Sequence, residues 1–192
     1  MSLTKHITKN STNIFRPFAH VNFGILLNKE LQENYQAPFT ELVFLCIGTD
    51  RSTGDSLGPL IGYKLKNMIL PKKKIHIVGT LEDPVHAKNL ENKIETVYTS
   101  YNNPFIVAID ACLGSSSRIG FIKVATGPLK PGAGVHKKLP HVGDLHITGI
   151  VNTCGYMEYL VLQNTRLSLV MKMADTISKA IKFSLWKADK LF

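Results

Sequence analysis

One stretch of the chain has the order of a buried strand, a polar loop and a helix, and it places an acidic residue at the junction. Residues 42–59 read LVFLCIGTDRSTGDSLGP, so the apolar run Leu42–Ile47 ends in a glycine-bearing loop and Asp55 precedes a helical pattern. A run without polar alternation is typical of a strand that is buried on both faces. Asp55 or Ser56 is placed to cap the helix that follows.

A second unit of the same kind follows at residues 105–114, FIVAIDACLG, where Asp110 comes directly after an apolar run. Strands that alternate with helices predict a three-layer α/β/α fold with a mostly parallel sheet. Ligands of such folds bind beyond the carboxyl ends of the strands. We therefore expect the strands at 42–47 and 105–109 to be parallel and adjacent or nearly so, with both acids at one end of the sheet.

The remaining elements follow from hydrophobic spacing. This spacing predicts further helices over residues 21–35, 85–98, 150–162 and 171–187, and further strands over 74–79, 119–125 (at a sheet edge) and 167–170. Glycines and prolines predict a loop over residues 127–140. Residues 1–18 are predicted to be a flexible N-terminal arm, and residues 19–192 to be a single α/β domain.

The composition narrows the function classes. The chain is 44% hydrophobic and 19% charged, and its longest apolar run, Leu42–Ile47, is too short to span a membrane. The first ten residues contain no apolar signal core, which predicts a cytoplasmic protein. The spacing of Cys46, Cys112 and Cys154 matches no zinc pattern. A net charge of +9 favours acidic partners, but the basic residues are scattered without interleaved aromatic side chains, so nucleic acid is not the expected partner.

The loop at residues 48–54 is not a phosphate cradle. Five residues separate Gly48 from Gly54, and Asp55 stands where a Walker loop needs a lysine. A carboxylate at this helix start would repel a phosphate. A nucleotide cofactor is therefore not expected.

The two acids predict acid–base chemistry. Asp110 is costly to bury inside an apolar segment unless it is paired or hydrogen-bonded. Two close carboxyl groups hold one shared proton, because like charges cannot both ionise cheaply. One acid then activates water while the other protonates a leaving group. The structural alternatives are a helix cap for Asp55 and a hydrogen-bond acceptor for Asp110.

His146 is the third candidate, since it precedes the helix predicted at 150–162. If it converges with Asp55 and Asp110, the set could bind zinc or nickel, although the two-acid chemistry itself requires no cofactor. His141 and Asp144 compete with it in the same loop, and a cap or surface role is the alternative for His146. The candidate substrate-binding residues are Thr49, Asp50, Arg51, Ser52, Gly143 and Asp144.

These motifs carry a family resemblance. The segments at residues 47–59 and 108–113 resemble the two acid motifs of the hydrogenase-maturation endopeptidases and the spore germination protease. Residues 146–150 and 166–170 resemble the histidine region of the hydrogenase-processing branch. Over residues 20–190 the chain most resembles the YyaC-type sporulation protein family, through the loop at 48–59 and the segment GDLHITGIVN at 143–152.

The resemblance implies a phosphorylase/hydrolase-like fold and a sporulation peptidase of the cytoplasm, in the forespore or spore interior, with a peptide or small spore protein as substrate. Asp55 and Asp110 match the paired acids of the germination protease. In the hydrogenase branch the matching acids and a histidine, here His146, bind the nickel of the substrate. The alternatives are a binding or regulatory protein that has lost the activity, and a metal-dependent hydrolase of a small molecule.

Overall fold

The computed structural model describes residues 10–68, 74–132 and 139–188. In chain order the strands are β1 (Ser11–Asn13), β2 (Glu41–Cys46), β3 (Ile75–Val78), β4 (Pro104–Gly114), β5 (Phe121–Thr126) and β6 (Leu145–Thr153). The helices are α1 (Ala19–Asn34), α2 (Leu57–Met68), α3 (Leu90–Ser100), α4 (Glu158–Gln163) and α5 (Leu167–Lys187), with single 3₁₀ turns at Gly54–Ser56 and Ser116–Arg118.

Within the described residues the strands form one sheet in the order β1-β5-β6-β4-β2-β3. The four strands β6, β4, β2 and β3 are parallel, whereas β5 runs antiparallel to both β6 and β1. Helices α1, α2 and α5 pack on one face of the sheet, and α3 packs on the other. The predicted three-layer α/β/α class with a mostly parallel sheet is confirmed.

The central strands β2 and β4 are adjacent and parallel, as the sequence predicted, and Cys46 lies opposite Ile109. Alternate side chains of β4 pack into the two hydrophobic cores on opposite faces of the sheet. Phe105, Val107 and Ile109 face α1, α2 and α5. Ile106 and Ala108 face α3, and Asp110 follows them on that side because strand side chains alternate.

Two predictions about the carboxyl-terminal third were wrong. The helix predicted over 150–162 is present only from Glu158, as α4. Residues 145–153 form a strand, because buried positions alternate with half-buried ones in a segment rich in Ile, Val and Thr. Residues 167–170 begin α5 and are not a strand. Val170, Met173, Ala174 and Ile177 are buried at helical spacing, which extends the helix period back to this point.

Three boundaries also differ from the sequence prediction. Ser11–Asn13, inside the predicted arm, pairs with β5, so β5 is not at the sheet edge; residues 1–9 lie outside the described residues. β4 continues to Gly114, so Asp110 lies within the strand and not after it. Helix α3 begins at Leu90, because Val85 first forms a bridge with Ile47.

Two glycines allow α2 to pack closely on the end of the sheet. A Cβ atom at Gly62 would lie 1.8 Å from the carbonyl oxygen of Gly79, which follows β3. A Cβ at Gly58 would lie 2.0 Å from the carbonyl oxygen of Ile47. Both contacts are with backbone and cannot be relieved by rotating a side chain. The start of α2, directly after the turn that contains Asp55, is thereby held against the end of β2.

None of the helices in the described residues has the length and apolar content needed to cross a lipid bilayer.

Candidate active site at the carboxyl ends of β2 and β4

The two acids are brought together by the end of β2. The Ile47 N–H donates to the Ile109 carbonyl at 2.7 Å, which carries the pairing of the two strands one residue beyond β2. The loop from Gly48 to Asp55 therefore starts beside Asp110. This is the carboxyl end of a parallel sheet, where α/β proteins place their ligands.

The loop closes on itself through backbone contacts. Gly48 has φ of +142°, and a Cβ there would lie 2.0 Å from the Asp55 carbonyl oxygen. The Thr49 N–H donates to that carbonyl at 3.1 Å. Only glycine fits this combination of positive φ and close approach. The Ser56 hydroxyl donates to the Thr53 carbonyl at 2.7 Å, so it stabilises the turn and is not a helix cap.

Three effects set the pKa of the Asp55 carboxyl group. Burial raises its pKa to about 6, and this effect exceeds the lowering by the Thr49 N–H and by the positive charge of His86. Burial penalises the charged form because the carboxylate loses its hydration. Asp55 is thus an acid that is ionised at neutral pH but close to titrating.

Asp110 is more deeply buried, with 5% of its surface exposed. Burial raises the pKa of its carboxyl group well above the ordinary value, and the charge of Asp55 raises it further. Two backbone donors oppose the increase: the Ala111 N–H, 2.8 Å from Oδ1, and the N–H of Gly132. Asp110 therefore keeps its proton over a pH range in which Asp55 has lost its own.

The two carboxyl groups consequently titrate in a fixed order. Asp55 ionises first, while Asp110 is still neutral and exerts no charge on it; the resulting carboxylate then disfavours ionisation of Asp110. An ionised and a neutral carboxyl group are the base and the acid that hydrolysis requires. The charge of Asp55 acts on Asp110, so these two acids form the candidate pair.

The histidine at this site is His86, which the sequence analysis did not single out. Val85 bridges to Ile47 and accepts the Gly48 N–H at 2.7 Å, so the residue after it lies beside the acid loop. The Lys88 N–H donates to His86 Nδ1 at 3.3 Å. This places the proton of the neutral ring on Nε2. The only sequence signal was a histidine next to Pro84-Val85 before a helix.

His146 is placed differently from the prediction. It lies within β6, level with Ala108, and its Nδ1 contacts the Gly127 carbonyl at 2.9 Å. Asp110 is two residues further along β4, about 7 Å. Among residues 10–68, 74–132 and 139–188 no group of three or more His, Cys, Asp and Glu side chains could hold a metal ion. The predicted metal set of Asp55, Asp110 and His146 does not converge, because His146 stands inside a strand and not at the start of a helix.

The predicted substrate-binding residues divide into two groups. Thr49 and Ser52 belong to the acid loop with Asp50 and Arg51, whose side chains are exposed. Gly143 and Asp144 lie at the other end of the sheet. The Asp144 carboxylate accepts the Ile106 N–H at 2.8 Å, four residues before Asp110 along β4. His141, the other alternative, is exposed. The structure therefore brings only the loop residues near the acids.

Ser52 has an unusual environment for a loop serine. Its side chain is 7% exposed, and its hydroxyl has no hydrogen-bond partner among the described residues. The other two such hydroxyls, those of Ser178 and Ser184, belong to α5. A buried hydroxyl without a partner carries a free-energy penalty that a bound substrate or water molecule would relieve.

Comparison with known proteins agrees with this architecture. A solved NiFe hydrogenase maturation protease, HycI of Thermococcus kodakarensis, aligns with a TM-score of 0.50 at 15% identity, covering 80% of this chain and 99% of that one. At this identity the similarity supports the fold. "Uncharacterized protein YyaC" of Bacillus subtilis is 55% identical over 153 residues, which are 78% of this chain and 74% of the relative.

Residues 14–180 match the model of the family described as "Protein of unknown function (DUF1256)". The matched region contains both acids, His86 and strands β2 to β6, whereas β1 lies just before it. The chain therefore belongs to the DUF1256 family.

Proposed function

We propose that this protein is a peptidase in which Asp55 and Asp110 share one proton and activate water for peptide-bond hydrolysis. The observation that carries the proposal is the buried Asp110 at the level where β2 ends, together with the half-buried Asp55 in the loop that follows β2; the pKa values of both carboxyl groups are raised. Carboxyl groups perturbed in this way cluster at functional sites, because burying them without a role costs stability.

The proposed steps follow from the two protonation states. Ionised Asp55 accepts a proton from a water molecule, whose oxygen attacks the carbonyl carbon of the peptide bond. Protonated Asp110 donates its proton to the amide nitrogen as the C–N bond breaks. The products are a carboxylic acid and an amine, and a proton then returns from Asp55 to Asp110 through solvent. Each transfer by a positioned group accelerates hydrolysis by about 10²–10⁴-fold.

The substrate we propose is a peptide or protein segment of sporulating cells, with a small spore protein as the first candidate. The likeness of the acid motifs to those of the germination protease supports this assignment, and the likeness in fold to a hydrogenase maturation protease supports the peptidase class. The net charge of +9 favours an acidic segment.

The proposal is tested with a peptide library made from sporulating cells, incubated with the protein in ¹⁸O-labelled water. We expect new C-termini that carry one ¹⁸O atom for each bond cleaved, because the attacking oxygen comes from water. The matched control is the double variant Asp55→Asn/Asp110→Asn, which keeps side-chain size. An equal cleavage pattern with both proteins would remove these acids from the reaction.

His86 is expected to set the acidic limb of the pH–activity profile. Its positive charge lowers the pKa of Asp55, so His86→Gln raises that pKa above about 6 and moves the limb of kcat/KM to higher pH. The control is His146→Gln, since His146 does not interact with Asp55. The measurement is kcat/KM as a function of pH for both variants, with a peptide that the wild type cleaves as the substrate. A shift with His146→Gln and none with His86→Gln would restore the sequence-based choice of histidine.

A further inference from the structure

Strand β3 ends the sheet and leaves backbone groups unpaired. The Leu42 N–H donates to the Lys74 carbonyl at 2.8 Å, and Leu42 lies opposite Ile75. In a parallel ladder of this register, His76 and Val78 direct their N–H and C=O groups toward β2, whereas Ile75 and Ile77 direct theirs away from it. No strand of the described part of the chain pairs with that side of β3.

A groove runs along this edge. Its volume is about 480 Å³, and its floor is β3 with the following Gly79 and Thr80. Lys66 of α2 stands on one side, and Lys93, Thr96, Val97 and Tyr101, from α3 and its end, stand on the other. The volume lies within the range of about 300–1,000 Å³ that is usual for ligand sites. Walls on both sides leave room for a single extended chain between them.

The walls of the groove favour an acidic chain with small apolar residues. Two lysines and one carboxylate, that of Asp83, line the groove. Lys93 is bound to Asp83 at 2.6 Å, whereas Lys66 has no carboxylate of the described residues within ion-pair distance and acts only at longer range on the exposed Glu82. Val78 and the buried Val97 provide apolar surface between them. The His76 ring is stacked on Tyr101, with the ring centroids 3.9 Å apart, which holds the wall rigid.

We propose that this edge binds an extended acidic segment of a protein partner by adding it to the sheet as a strand beside β3. The outward N–H and C=O groups of Ile75 and Ile77 bond to the backbone of the segment, and Lys66 attracts its carboxylates. Backbone bonding gives affinity in such strand addition, and the side-chain pockets give selectivity. The site is distinct from the acid pair and does not depend on the peptidase proposal.

The first test measures amide hydrogen exchange in the full-length protein by NMR. The probe is a short capped peptide of alternating valine and threonine with a glutamate at each end. Without the peptide, the amides of Ile75 and Ile77 exchange rapidly while those of His76 and Val78 are protected by β2. Addition of the peptide is expected to protect Ile75 and Ile77 as well. Continued rapid exchange at saturating peptide, or exclusive protection at other sites, would overturn the proposal.

Two variants test the backbone and charge contacts separately. Ile77→Pro removes an outward N–H without breaking a bond to β2, a position where edge strands tolerate proline. It should weaken binding at least about tenfold, whereas Ile77→Val should bind as wild type. Lys66→Glu changes a charge on the rim of the groove. It should weaken the binding of the glutamate peptide and strengthen the binding of a peptide that has lysine in place of both glutamates. Unchanged affinity in both Ile77→Pro and Lys66→Glu would contradict the assignment.

Sedimentation equilibrium distinguishes the other occupant, a second copy of the chain. If the edge binds a partner peptide, wild type and Ile77→Pro should have the same molecular mass in solution at every protein concentration. A concentration-dependent dimer that is lost in Ile77→Pro would assign the edge to self-association and overturn the peptide site.

Discussion

Replacement of Asp55 or of Asp110 by asparagine is expected to lower kcat/KM for peptide hydrolysis by at least about 100-fold. Asparagine keeps the size of the side chain and its carbonyl acceptor, but it can neither take a proton from water nor donate one to an amide nitrogen. The double variant should be little worse than either single variant, because the two groups act as one unit.

The pH profile and a half-buried control acid sharpen this test. Wild-type activity should fall below pH of about 6, where Asp55 becomes protonated, and again at higher pH, where Asp110 loses its proton. Asp144→Asn is the control. The pKa of Asp144 is also raised by burial, and its carboxylate also accepts a backbone N–H, but it lies at the opposite end of β4. Full activity in both single variants at the acid pair would disprove the mechanism.

The second large effect concerns stability and its dependence on pH. The double variant Asp55→Asn/Asp110→Asn should be more stable than wild type at pH 7.5. Burial raises the folded-state pKa of Asp55 from 3.8 to about 6, which corresponds to a penalty of up to ~3 kcal/mol at neutral pH. Asp110 adds to it, because its pKa is raised well above the same ordinary value. Relief of strain at an active site is a common source of added stability.

The sign of the pH dependence follows from proton binding. Between the unfolded and folded pKa values the folded protein holds more protons than the unfolded chain, so the wild type loses stability as pH rises. Below pH of about 3.8 both states are protonated and the two proteins should melt alike. Urea unfolding at pH 3.5, 6 and 7.5 gives the comparison. A double variant that is less stable than wild type at pH 7.5 would make the acids structural hydrogen-bond acceptors.

Local patterns predicted the parts of the site that depend on neighbouring residues. An unbroken apolar run marks a buried strand, so the runs before Gly48 and Asp110 identified β2 and β4 and placed both acids at one end of a parallel sheet. The order of alternating strands and helices gave the layer architecture. Hydrophobic spacing did not identify strand β6 or the start of helix α5. The apolar segments at 150–162 and 167–170 are short enough to fit either the helical or the strand spacing of hydrophobic residues. The tertiary packing of Val151 and Val170 decided which of the two each segment adopts.

The sequence by itself determined that the two carboxyl groups belong to adjacent parallel strands at the level where β2 ends, because parallel strands run in one direction. The pairing of β4 with β6 decided that β4 continues four residues beyond Asp110. Only the tertiary structure decided which histidine lies near Asp55 and in which order the two acids titrate. His86 reaches Asp55 because Val85 bridges to Ile47, a pairing between segments 38 residues apart in the chain that no local pattern records. The pKa of Asp110 is raised because of burial, and burial is a property of the packed layers and not of the residue itself.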